Sequence, residues 1–413
     1  MSMVTLIEPI FLAMGGVLAM VLAMLFSAWA PRVALVVGLL FYTLPLLQIG
    51  PGVDTRPILV VVAAGLLLRW AGTKPRIMRQ ANGLLLIGLV ILLVTTALSL
   101  TWTVDIRQTM AAFSSTAIAL TLLWLSRSIF TSRDLLWCVL VASGSLVILS
   151  LIMGVSGIGT PTAGGRLRGI FSNANALGIM AMISTVSSVV IRRRWILLGY
   201  WAVVGVTLVW TASRAGAAAA ALFIVIAAWT LFPDWRSRLV IIGILSLSFI
   251  QVLVLGNSSS SLEESTGLVR TNDSRSDYWF LALEDISAGL PWGYGGGSAS
   301  VQGEAGVNVF LKSAYEFGWW GVVMAAIILA SIACFTRGSR FGVAAFSAIF
   351  VNVQFEGWLF TFGNSFTIMA FLVISALSVT RTKRFPMSRR TLEMAGMLEL
   401  GARSKSITEA RTR

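Results

Sequence analysis

Long apolar runs alternate along the chain with short turns that carry most of the charge. Runs such as 82–101, 135–154 and 239–255 are long enough to cross a bilayer core of about 30 Å as helices. The same pattern marks candidate spans at 9–30, 33–49, 57–70, 82–101, 109–126, 135–154, 174–191, 195–211, 214–231, 239–255, 308–334, 341–357 and 361–380. The third is short and ends at Arg69. Counting it gives thirteen spans and an outward N-terminus; dropping it gives twelve and an inward one. The orientation after residue 81 is the same either way. The expected fold class is all-α, a polytopic membrane helical bundle of 12–13 transmembrane helices with one large outward loop at 256–307.

Composition agrees with this. Of 413 residues 57% are hydrophobic and 12% charged, with mean hydropathy +0.87. A soluble fold leaves more polar surface than that. Basic residues crowd the turns at 69–79, 127–133, 192–194, 236–238 and 337–340 and the segment after Arg381. Basic turns stay on the cytoplasmic side, so their alternation with the spans sets the orientation. Residues 1–380 are expected to form the membrane domain and 381–413 a basic cytoplasmic tail lying near anionic lipid. The net charge of +14 is thus mostly a topology signal. It is scattered over short turns rather than gathered on one face, which argues against nucleic acid as a partner. The start, "MSMVTLIEPI", has no basic region, so no cleavable signal peptide is expected. Cys138 and Cys334 both fall near cytoplasmic span ends and read as packing residues rather than a disulfide.

The outward basic residues are the chemically informative ones. Under the thirteen-span count they are Arg56, Arg107, Arg166, Arg168, Arg214, Arg270, Arg275 and Lys312. Asp54 and Asp105 lie beside the first two, and ordinary solvated pairing accounts for those. The others fall at "GGRLRGIFSNANALG", "WTASRAG", "VRTNDSRSDYW" and "VFLKSAYEFG". Arg214 and Lys312 sit close to hydrocarbon, where an unpaired cation costs up to about 2.5–3.5 kcal/mol. Snorkelling to the headgroups explains any one of them. Several converging on one face match a doubly charged diphosphate, because a guanidinium forks onto phosphate oxygens with two bonds. In the large loop, Ser274 and Asp277 form a candidate capping box. The helix expected over about 275–288 aligns Arg275, Trp279 and Ile286, and Pro291 with the following glycines ends it. Lys312 and Glu316 are four apart and expected to pair on one helix face. Glu356 is a further outward carboxylate.

Four stretches together resemble the O-antigen ligase and Wzy-type polymerase superfamily. "GRLRGIFSNANALG" resembles its "R..G.F.NPN.L" signature, and "TASRAG" its "SR.G". "SRSDYWFLALEDISAGLPWGYGGG" is similar to the large-loop signature, and "GVNVFLKSAYEFGWWGVV" to the "HN..L....E.G..G" signature after it. The likeness covers roughly residues 80 to 380. It implies a C-type glycosyltransferase-like bundle in a bacterial inner membrane, working at the periplasmic face without metal or other cofactor. The implied reaction transfers or polymerises glycan units from an undecaprenyl-diphosphate carrier onto a glycan or lipid-linked acceptor, in O-antigen or exopolysaccharide assembly. A chain-length regulator or a flippase is the implied protein partner. Carried over, Arg214 and Arg275 fall in the catalytic set, with Arg166, Asn175, Asn308 and Glu316 around the substrate; Arg168 and Lys312 join the substrate set on their outward charge.

Two positions depart from the family pattern. Ala174 replaces the usual proline, which mainly fixes φ. Val307 replaces the family histidine, and the chain contains no histidine at all. That favours a polymerase over a lipid A ligase. A carboxylate then has to serve as base, from Asp277, Glu284, Asp285, Glu304, Glu316 and Glu356; Glu304, three residues before Val307, is the first choice. A flippase or transporter for lipid-linked sugars, and a catalytically inactive relative, are the alternatives.

Overall fold

The computed structural model describes residues 21–47, 56–73, 83–157, 166–232, 279–280, 283–284, 286–287, 292–300 and 308–378. Within these the secondary structure is helical, with one isolated bridge between Leu47 and Phe171. A helical stretch at 21–29 precedes α1 (Pro31–Tyr42). Then follow α2 (Arg56–Ala71), α3 (Gly83–Leu98), α4 (Ile106–Ile129), α5 (Ser132–Val155), α6 (Ala174–Ser187), α7 (Arg194–Thr211), α8 (Arg214–Leu231), α9 (Val309–Thr336), α10 (Arg340–Val353) and α11 (Ser365–Leu377). Five of these, α4, α5, α7, α8 and α9, are long and apolar enough to cross a membrane. Of the remainder, α2 slightly exceeds the run that suggested it, and the others are shorter than theirs. The expected 33–49 becomes α1 plus a tight turn at Leu44–Leu46, and 361–380 becomes α11. The expected span 239–255, the N-terminal part of 9–30 and the tail 381–413 lie outside the described residues.

Burial separates two kinds of helix. In α6 and α11 nearly every side chain is buried. A helix apolar all round belongs in the interior, and these two form the centre. In α7 a buried face with Leu197, Trp201 and Val204 opposes an exposed apolar one with Trp195, Ile196 and Val206. That exposed surface is what a helix shows to lipid.

Contacts between helix ends fix the relative direction of several helices. Arg32, entering α1, pairs with Asp134 at the start of α5 (3.0 Å). Trp70 at the end of α2 meets Trp124 near the end of α4 (5.2 Å). The Arg194 guanidinium lies 5.6 Å from the Phe232 ring, which joins the start of α7 to the end of α8. The basic turns around 69 and 127–133 thus lie together, and 192–194 lies beside the end of α8, where 337–340 also sits. The α2 helix packs as a full member of the bundle: a Cβ on Gly65 would stand 2.3 Å from Ser27 Cβ. The short third run is thus a helix packed against its neighbours, and its 16 residues reach about 24 Å.

Candidate functional site

The opposite end of the bundle is where several of the described candidate residues meet. Asn173 starts α6 by accepting the Asn175 amide (2.8 Å), an N-cap that satisfies one of the free donors of the first turn. Ala174 is then the first helical residue. That position tolerates proline and does not require it, so the departure from the family pattern changes little. With Asn173 occupied by the cap, the Asn175 side chain is available for longer-range contacts.

Arg166 makes the central contacts. It donates from Nε to Thr211 O (2.9 Å), and from Nη2 to Asn175 Oδ1 (2.9 Å) and Ala212 O (3.4 Å). Asn175 passes the chain on, donating from Nδ2 to Glu356 Oε1 (3.1 Å). A guanidinium and an amide from one stretch and a carboxylate from a distant segment thus stand in one row. Ala212, the cap of α7, sits in the left-handed region at φ 49°. Non-glycine residues there are strained by about 1–2 kcal/mol, and such strain gathers at functional sites. Here it turns the Ala212 carbonyl toward Arg166.

The first two signature stretches touch through their small residues. A Cβ on Gly178 would lie 2.3 Å from Ser213 Oγ, and one on Gly216 would lie 2.8 Å from Gly178 O. This close approach brings the start of α8 against α6. Arg214 is the first residue of α8 and is exposed. A cation there opposes the helix dipole, so its place is not explained by helix stability. Arg168 is half-buried, two residues from Arg166.

The third and fourth stretches meet at a break in α9. Gly318 has φ 64° and ψ −156°, a glycine-only conformation that splits the helix after about two and a half turns. The expected span 308–334 is therefore not one continuous helix. The break leaves carbonyls without helical partners, and the glycine loop supplies donors: Tyr294 N to Tyr315 O (3.0 Å) and Gly295 N to Glu316 O (2.9 Å). Tyr294 and Tyr315 stack at 4.7 Å. Gly293 lies so close to the break that a Cβ would stand 2.5 Å from Gly318 N. Asn308 caps α9 by accepting from Phe310 N and Leu311 N, a structural task for a residue assigned to substrate.

On this short first piece of α9, Lys312 and Glu316 pair as expected, at 3.8 Å, both buried. Lys312 Nζ also donates to Thr361 Oγ1. The Glu316 carboxylate accepts backbone N–H bonds from Gly297 and Ala299. Its Oε1 has no hydrogen-bond partner among the described residues. Burying a lysine and a glutamate inside an apolar bundle requires such mutual compensation. The segment 354–364 between α10 and α11 touches both groups of residues, through Glu356 on Asn175 and Thr361 on Lys312.

Of the other candidates, Arg275, Glu304, Asp277 and Asp285 lie outside the described residues. Glu284 is exposed on a helical stretch, in the region where a loop helix is expected. Asp105 caps α4 through Gln108 N (3.1 Å) rather than serving Arg107 as a solvated partner. Thr361, Ala212 and the Gly178–Ser213–Gly216 contact were not among the sequence candidates. Only the last has a sequence signal, small residues spaced for helix contact.

No family model matches the chain, and no curated protein matches it.

Proposed function

We propose that this end of the bundle is the active site of a membrane glycosyltransferase that uses a polyprenyl-diphosphate-linked glycan as donor at the periplasmic face, extending a second lipid-linked glycan. The observation that carries the reading is convergence. Four stretches scattered between residues 164 and 325 resemble one family's signatures. Those parts of them that are described meet at one end of the bundle, alongside the 354–364 segment. In the reaction the acceptor hydroxyl oxygen attacks the anomeric carbon. The bond from that carbon to the diphosphate breaks, and the diphosphate leaves on its carrier. Arg166 and Arg214, with Arg275 from the large loop, compensate the charge that builds on it, often the largest catalytic term. The acceptor proton goes to a carboxylate. Glu356 takes that role in preference to Glu304, because it stands in the Arg166–Asn175 row, whereas Glu316 is held by Lys312 and two backbone amides.

The test is purified protein in liposomes with an undecaprenyl-diphosphate repeat unit, read as longer lipid-linked glycan. Glu356→Gln is expected to lower turnover on the order of 10²-fold or more, and Arg166→Ala to abolish it. Full turnover by Glu356→Gln moves the base elsewhere, with Glu304→Gln as the next arm. The broken α9 is also a feature of transporters, where interrupted helices hold substrate. Movement of the lipid-linked unit across the liposome with no longer product would establish that second reading.

A further inference from the structure

At the end of the bundle away from Arg166, α8 and α10 part to leave an open cleft. It is lined by Val225, Ile226 and Trp229 from α8, by Arg337 from the turn after α9, and by Arg340 and Val343 from the start of α10. Both arginines are exposed, and neither makes an ion pair or side-chain hydrogen bond among the described residues. No acidic residue is among the described lining. The cleft also holds the start of α10, where Ser339 caps Gly342 N (3.2 Å). The first amides of a helix have no intrahelical partner and carry partial positive charge. Three sources of positive potential thus face one opening. Its walls, by contrast, are aliphatic, and Trp229 stands 57% exposed at the rim, an amphipathic ring suited to the bilayer interface.

We propose that this cleft is a site for one anionic phospholipid. Its phosphodiester lies on Arg337 and Arg340, and an acyl chain runs along Val225, Ile226 and Val343. A topology signal needs basic residues only somewhere in a turn. It does not need them beside an aliphatic cleft on the lipid-facing surface. A free anion would use the arginines and leave the aliphatic wall exposed. A zwitterionic lipid would bring its own cation against the two guanidiniums. An anionic lipid satisfies both halves of the cleft. The site is independent of the reaction proposed for the other end.

Native mass spectrometry of the full chain, titrated with phosphatidylglycerol or phosphatidylcholine, tests it. The protein is expected to retain one phosphatidylglycerol in preference to phosphatidylcholine. Arg337→Gln/Arg340→Gln should weaken that retention on the order of thirtyfold, from two headgroup cations lost. Equal retention by the double variant, or equal retention of the two lipids by the native chain, overturns the proposal. Val343→Trp fills the cleft and leaves both arginines in place, so it covers the case in which the double variant fails to fold. It must also reduce retention, and unchanged retention removes the cleft from the argument. Inorganic phosphate at millimolar concentration should not displace the lipid. Displacement would make this an ion site and refute the lipid assignment.

Discussion

Gly178→Ala is the sharpest perturbation of the site end, because the structure names the atoms that resist it. The added Cβ would stand 2.3 Å from Ser213 Oγ and 2.4 Å from Ser213 Cβ. Carbon atoms rest about 3.5–4.0 Å apart, so α6 and α8 would have to separate by roughly 1 Å. Overpacking of this kind costs about 1–3 kcal/mol, and a clash this short belongs at the upper end. Alanine in a helix returns about 0.8–1 kcal/mol relative to glycine. The net expectation is a loss of about 2 kcal/mol, or on the order of 4 °C in apparent Tm. Ser213→Gly supplies the complement. Ser213 makes no side-chain cap bond to α8, and glycine is tolerated at an N-cap for a few tenths of a kcal/mol. With that side chain gone, the nearest remaining Ser213 atom to the new methyl is Cα, at an ordinary 3.9 Å. The double variant should therefore regain native stability, with a coupling of about 2–3 kcal/mol between the sites. Gly216→Ala is the contrast. Its Cβ would meet the backbone of Gly178 at 2.8 Å, and truncating a side chain cannot relieve it. Thermal unfolding of the three single variants and the double in one detergent measures all of this. A coupling below about 0.5 kcal/mol, the level of independent sites, would refute the packing argument. The same separation draws Asn175 on α6 away from Arg166, so the transferase activity proposed above should fall with stability in the single variant and return in the double.

Lys312→Met strands the buried Glu316 carboxylate and is expected to cost about 3–5 kcal/mol, while Lys312→Met/Glu316→Gln recovers most of it in the same unfolding assay. Gly293→Ala combines positive φ with a Cβ 2.5 Å from Gly318 N, which is backbone and cannot move aside. It should release the glycine loop from α9 and expose 292–300 to limited proteolysis, and a cleavage pattern identical to the native one counts against the seating described above. For orientation, a cysteine at Ser259 in a chain with Cys138 and Cys334 replaced should react with an impermeant reagent in intact cells, and one at Ser237 should not. The reverse pattern inverts the topology.

What the sequence determined by itself are the properties that are local sums. Transfer free energy accumulates residue by residue along an apolar run, so the placing of α4, α5, α7, α8 and α9 follows from hydropathy alone. The alternation of basic turns carries the direction of each helix, and the contacts of Arg32, Trp70 and Arg194 agree with it. The Lys312–Glu316 pair was legible too, since four residues is one helical turn. Other features belong to the tertiary structure. That the 57–70 run packs as a member of the bundle is decided by Ser27 against Gly65, not by its own length. The break at Gly318 needs the amides of Tyr294 and Gly295 to take up the carbonyls it releases, so nothing in 309–336 announces it. Asn175 meets Glu356 across 181 positions of sequence, and Lys312 meets Thr361 across 49. Hydropathy records how much each residue gains by leaving water. It does not record which polar group each buried charge will find, because inside a bundle that choice depends on how closely two backbones approach. Here the approach is set by Gly178, Ser213 and Gly216.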